Sequence, residues 1–181
     1  MTRALALAAL AAVIVAGCSK TSTTTPSTTP TPAAPTPTTT ITNFTAQLSP
    51  SNEVPAVTNA ESGGSGTVTV KVTLNKDAAG SPTSATVDFN ATFSGFPTGT
   101  ALTAAHIHPG AAGTNGSPLV STTITSGEVT FPNGSGTLSK TGLTLPVDQA
   151  TAIDANPAGY YFNIHTALNP GGVARGQLVK Q

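Results

Sequence analysis

Strict alternation of apolar and polar residues marks two stretches of this chain. From Gly66 to Leu74, Val68, Val70, Val72 and Leu74 share one face, while Thr67, Thr69, Lys71 and Thr73 share the other. That is the period of a strand buried on one side. From Ala85 to Phe93, Val87, Phe89, Ala91 and Phe93 face one way, with Asp88, Asn90 and Thr92 opposite. The connection Asn75–Pro82 holds Asn, Asp, Gly, Ser and Pro, the residues of turns. The two strands are therefore expected to pair antiparallel.

Further strands are predicted at Asn43–Leu48, Ala101–His108, Leu119–Thr125, Gly127–Phe131, Gly136–Leu145, Tyr160–Thr166 and Ala174–Val179. Gly, Pro and Asn punctuate them at short intervals, the pattern of a sandwich or barrel. One helix is predicted over Val147–Ala155, with Pro146 at its start and Asn156-Pro157 as its stop. The expected fold is an all-β, Greek-key-type sandwich of about seven to nine strands with one short helix.

The N-terminus follows a different pattern. Arg3 precedes an uncharged apolar run of twelve residues, Ala4–Val15. A bilayer core of about 30 Å needs about 20 residues, so the run reads as the apolar region of a secretory signal peptide. It ends in Val15-Ala16-Gly17-Cys18, which looks like a bacterial lipobox, with cleavage expected after residue 17 and lipidation at Cys18. Two or three acyl chains anchor stably where one is marginal. Ser19, rather than Asp, follows the cysteine. By resemblance to sorting rules, this favours the outer membrane in a Gram-negative host; otherwise the anchor lies on the outer face of the plasma membrane. Residues 19–40 are Thr, Ser, Pro and Ala with one charge, Lys20. Repeated proline favours extended geometry and suits a spacer, with O-glycosylation left open. The expected organisation is a signal peptide at 1–17, a lipidated tether at 18–41 and a folded domain at 42–181.

Composition narrows the partners. Seven basic residues face seven acidic ones, and charged residues are 8% of the chain. Without a basic excess, nucleic acid is excluded as an expected partner. Cys18 is the one cysteine, so no intramolecular disulfide forms.

Three histidines carry the candidate chemistry. His106 and His108 flank Ile107, and on a strand they share a face. Tyr161, Asn163 and His165 share a face of the later strand. If the strands are neighbours, three imidazoles converge, a donor set suited to copper or zinc with one position open. The competing reading has these histidines bonded to backbone or to Tyr161 on a solvated face. The seven carboxylates are scattered and nominate no acid pair. Gly63-Gly64-Ser65-Gly66 precedes a strand and lacks the Lys-Ser/Thr of a phosphate loop. Arg175, the one arginine after Cys18, is expected to form a structural ion pair with Glu53.

Three groups of segments together resemble the CHRD domain, first described as a repeat in chordin. They are Phe44–Leu48 with Asn52–Pro55, Ala105–Ala111 with Gly116–Val120, and Tyr160–Thr166 with Asn169–Leu178, spanning about 42–180. The resemblance implies an immunoglobulin-like or superoxide-dismutase-like sandwich and no general reaction. Three histidines are too few for a dual-metal dismutase site, so a single-metal site is what they allow. The expected function is an envelope lipoprotein presenting a binding or structural module, rather than an enzyme, to an extracytoplasmic protein or glycan. The alternatives are a copper- or zinc-binding protein using His106, His108 and His165, and then a dismutase-like metalloenzyme.

Overall fold

A computed structural model describes Gly17 and residues 33–181. The signal peptide, Cys18 and the tether up to residue 32 lie outside the described residues, Gly17 excepted.

Strand β1 (Thr38–Leu48) starts inside the stretch read as tether. Thr38, Thr39 and Thr40 pair with Lys76, Asn75 and Leu74. These threonines are exposed on both faces, so backbone pairing extends the strand where no apolar alternation signals it. β2 (Ser65–Lys76) and β3 (Pro82–Ser94) form the expected antiparallel pair, with Val70 opposite Phe89 and Lys71 opposite Asp88. Asp77 closes their turn by accepting from the amides of Ala79 and Ser81, each at 2.9 Å.

β4 (Thr100–Pro109), β5 (Val120–Ser121), β6 (Thr130–Phe131), β7 (Gly136–Leu145), β8 (Tyr160–Thr166), β9 (Ala174–Gln177) and β10 (Val179–Lys180) complete the strands. One sheet has the order β10-β1-β2-β3-β7; the other has β5-β4-β8-β9, with β6 also paired to β4. All pairings are antiparallel. The chain changes sheets between β3 and β4, β6 and β7, β7 and β8, and β9 and β10. The all-β sandwich expectation holds, with ten strands instead of seven to nine.

Three predicted strands are shortened or split for local reasons. Of Leu119–Thr125 only Val120–Ser121 pairs. Thr123 adopts φ 59°, its amide held by Ser121 Oγ at 3.0 Å, and Thr122 turns its hydroxyl to the Ala105 carbonyl at 3.0 Å. Of Gly127–Phe131 only Thr130–Phe131 pairs. Ala174–Val179 splits at Leu178, which is buried in the core. Before it the chain pairs with β8; after it, with β1. The helix α1 (Val147–Ala155) forms as expected and buries Ala150 and Ile153.

Between the sheets lie Phe44, Val70, Val87, Phe89, Ile107, Phe162 and Ile164, all fully buried. Phe89 and Phe162 meet across the two layers with ring centroids 5.7 Å apart. The outward face of the second sheet is covered as well. Segments around residues 50–54, 114–116 and 169–172 lie over it, so Tyr161, Asn163, His165 and Arg175 are buried although they point away from the core.

Candidate functional site

β4 and β8 are neighbours, and their register places His106 opposite Asn163, His108 opposite Tyr161 and Ala104 opposite His165. The same row runs outward to Ser121 on one side and Arg175 on the other. Paired residues share a face, so the three histidines gather on the covered side of the second sheet. One ring nitrogen from each lies within 4.8 Å of the others. Among the described residues this is the group of histidine, cysteine or carboxylate side chains that meets such a spacing.

Hydrogen bonds set which nitrogens are free. His108 Nδ1 is 2.9 Å from the Gly116 carbonyl oxygen, and His165 Nδ1 is 3.0 Å from that of Pro170. A carbonyl only accepts, so both rings donate from Nδ1 and, when neutral, hold a lone pair at Nε2. His108 Nε2 is buried without a hydrogen-bond partner. His106 Nδ1 stands 3.3 Å from His165 Nε2. Zinc–nitrogen bonds of about 2.0–2.1 Å at tetrahedral angles separate two ligand nitrogens by about 3.3 Å.

The covering loops hold these rings in place. The Tyr161 ring stacks on His108, centroids 4.9 Å apart and 7° from parallel, and the Arg175 guanidinium lies 4.6 Å from the Tyr161 centroid. The Gly116 amide donates to the Tyr161 hydroxyl at 3.2 Å. A Cβ on Gly116 would lie 1.7 Å from the Pro109 carbonyl oxygen, so this close approach requires glycine.

Burial, with repulsion from His165 and His108, pushes His106 down to about 4. Burial also lowers His165, against the opposing pull of the Pro170 carbonyl and with a smaller repulsion from His108. Both rings are neutral near pH 7, the form that binds metals.

Glu53 and Arg175 are both buried, with Arg175 Nε 3.8 Å from Glu53 Oε2. That separation is too long for a hydrogen bond. Arg175 instead donates from Nε to the Asn52 carbonyl at 2.6 Å, and from Nη1 to the Thr114 carbonyl at 3.0 Å and Asn115 Oδ1 at 2.9 Å. It ties two covering loops to β9. Burial raises Glu53 to about 7, against the Arg175 charge and the facing Asn163 amide.

Two further residues were not legible as site residues. Asn163 shares the histidine face in sequence, but nothing there distinguishes it from a solvated asparagine. In the structure its Oδ1 is 3.0 Å from His165 Nε2. Glu61 is 4% exposed. It accepts from Thr166 Oγ1 and Asn169 Nδ2, pinning the loop that follows β8. A separate cleft of about 500 Å³, lined by Gln47, Ser51, Asn52, Glu53 and Gln177 among others, includes no histidine.

The arrangement suits one metal ion on neutral imidazoles and supplies no pair of carboxylates for acid–base work. No curated protein and no solved structure matches the chain. The CHRD domain profile matches residues 44–178, from the middle of β1 to the crossing between β9 and β10, and the chain belongs to the CHRD domain family.

Proposed function

We propose that this protein is a lipid-anchored, extracytoplasmic CHRD module that binds one transition-metal ion, copper or zinc, through His106, His108 and His165. The observation that carries the reading is the convergence of three ring nitrogens within 4.8 Å, two of the rings fixed by backbone carbonyls behind them. Metal-binding histidines commonly donate their second nitrogen in this way, which sets tautomer and aim. Imidazole donors favour zinc and copper over the oxygen-seeking calcium and magnesium. The lipobox-like Val15–Cys18 and the Thr/Pro-rich tether support the anchored, envelope-facing part of the reading.

Calorimetric titration of the full chain with Zn(II), and separately with Cu(II), tests it. One ion per chain is expected, lost when His106, His108 and His165 are all changed to Ala. Absence of specific binding by the unaltered chain would return these residues to a hydrogen-bonding role under the loops.

A further inference from the structure

We infer that Asn163 is a fourth ligand of this metal site through Oδ1, and that Glu53 orients its amide for the task. The inference rests on the three-histidine reading above.

His165 Nδ1 donates to Pro170, so its Nε2 holds a lone pair. That lone pair faces Asn163 Oδ1 at 3.0 Å. A second electron-rich atom, His108 Nε2, is buried and unpartnered. Two acceptors at hydrogen-bond distance with no proton between them repel each other. A cation among them reverses the sign of the interaction.

Turning the Asn163 amide over would give His165 Nε2 a donor, but it would aim Oδ1 at Glu53. A Cβ built on Gly172 would lie 2.7 and 2.8 Å from the two Glu53 carboxylate oxygens and 2.9 Å from Asn163 Nδ2, so these groups crowd one point. The Glu53 carboxyl oxygens lie on the Nδ2 side of this amide, and an oxygen accepting there holds Nδ2 toward Glu53 and Oδ1 toward the histidines. Gly172 leaves the room for this arrangement at φ +135°.

The register supports the same placement. Asn163 lies directly across from His106 and two residues before His165 on the same face of β8. Three imidazole nitrogens and one amide oxygen make a neutral four-donor set for a divalent ion, with the Glu53 carboxylate behind it. This is the chemistry of Zn(II) or Cu(II).

The test compares the full unaltered chain with N163A, N163D and E53Q, using Zn(II) calorimetry and the visible spectrum of the Co(II)-loaded protein. N163A is expected to weaken Zn(II) binding at least about tenfold and to change the Co(II) spectrum, which a purely packing role would leave alone. N163D places a charged oxygen at the same position and is expected to bind more tightly than the unaltered chain. E53Q, whose amide can present an N–H to Asn163 where Glu53 presents an accepting oxygen, is expected to weaken binding severalfold. Unchanged affinity and spectrum in N163A would overturn the assignment while the three-histidine site stands. If N163A does not fold, N163D decides, and affinity no better than that of the unaltered chain overturns the assignment. No Zn(II) binding by the unaltered chain removes both readings together. Unchanged affinity in E53Q removes the orienting role of Glu53.

Discussion

His108 gives its Nδ1 hydrogen to the Gly116 carbonyl oxygen at 2.9 Å, while its own Nε2 is buried with no partner. The loop after β4 therefore decides which nitrogen of a strand residue is available for chemistry. Gly116 reaches this position because it lacks a side chain: a Cβ would strike the Pro109 carbonyl.

G116A should displace the loop. We expect a stability loss of about 2–4 kcal/mol by urea unfolding, from backbone strain and the disturbed His108 and Tyr161 contacts. It should also weaken Zn(II) binding. Stability and affinity both equal to those of the unaltered chain would show that the loop does not hold His108.

Acid should weaken the fold through the histidines. An unfolded imidazole takes its proton near pH 6.5, whereas folded His106 does so at about 4. Across that window the unfolded chain binds more protons, so stability falls as pH drops. Glu53 works in the other direction. Its folded value of about 7 exceeds the ordinary 4.5, so its contribution is present at low pH and is lost as pH rises through that range. H106Q should flatten the first dependence and E53Q the second in stability measured from pH 8 to 4. An H106Q curve parallel to the unaltered one between pH 6.5 and 4 would refute the histidine account.

The same lowering shifts metal retention. Histidines with ordinary values lose metal below about pH 6, because protons compete for the lone pairs. With His106 and His165 both lowered, we expect Zn(II) release to be centred below about pH 6. Release centred at or above pH 6 in an equilibrium dialysis series would contradict this.

Arg175 and Glu53 should differ sharply in what their removal costs. R175A leaves the Asn52 and Thr114 carbonyls without their donor and is expected to cost about 3–5 kcal/mol. E53Q removes a carboxyl whose ionisation already opposes folding by pH 7, so it is expected to leave stability at pH 7 unchanged or raised. Equal losses in the two variants would make the 3.8 Å charge contact the dominant interaction instead.

The anchor has its own test. C18S should move the protein from the membrane fraction to the soluble extracytoplasmic fraction, because no other cysteine can carry the acyl chains. Membrane retention of C18S equal to that of the unaltered chain would contradict lipid anchoring.

Much of the sheet framework was legible because alternation is written locally. Val68, Val70 and Val72 announce a buried face, and β7, α1 and β8 form over the predicted residues. The short strands were misread where side chains take over from the ladder. Thr123 leaves the extended region at φ 59° with its amide on Ser121 Oγ, and Leu178 carries the chain from one sheet to the other. Alternation also separates the two faces of β8 correctly but does not say what covers either one. His165 and Asn163 read as polar and outward, and they are both, yet the covering loops bury them.

From the sequence alone come the order of elements, the face on which each histidine stands and the lipobox-like start, since each depends on neighbours a few residues apart. The tertiary structure decided that β4 pairs with β8, that the histidine face is roofed by three loops, and that Arg175 serves carbonyls more than Glu53. The strand pairing and the Arg175 bonds join residues tens of positions apart, whereas Gly116 and Pro170 lie eight and five residues from the histidines they hold. The energies of these contacts come from burial and hydrogen-bond satisfaction, which no local pattern records.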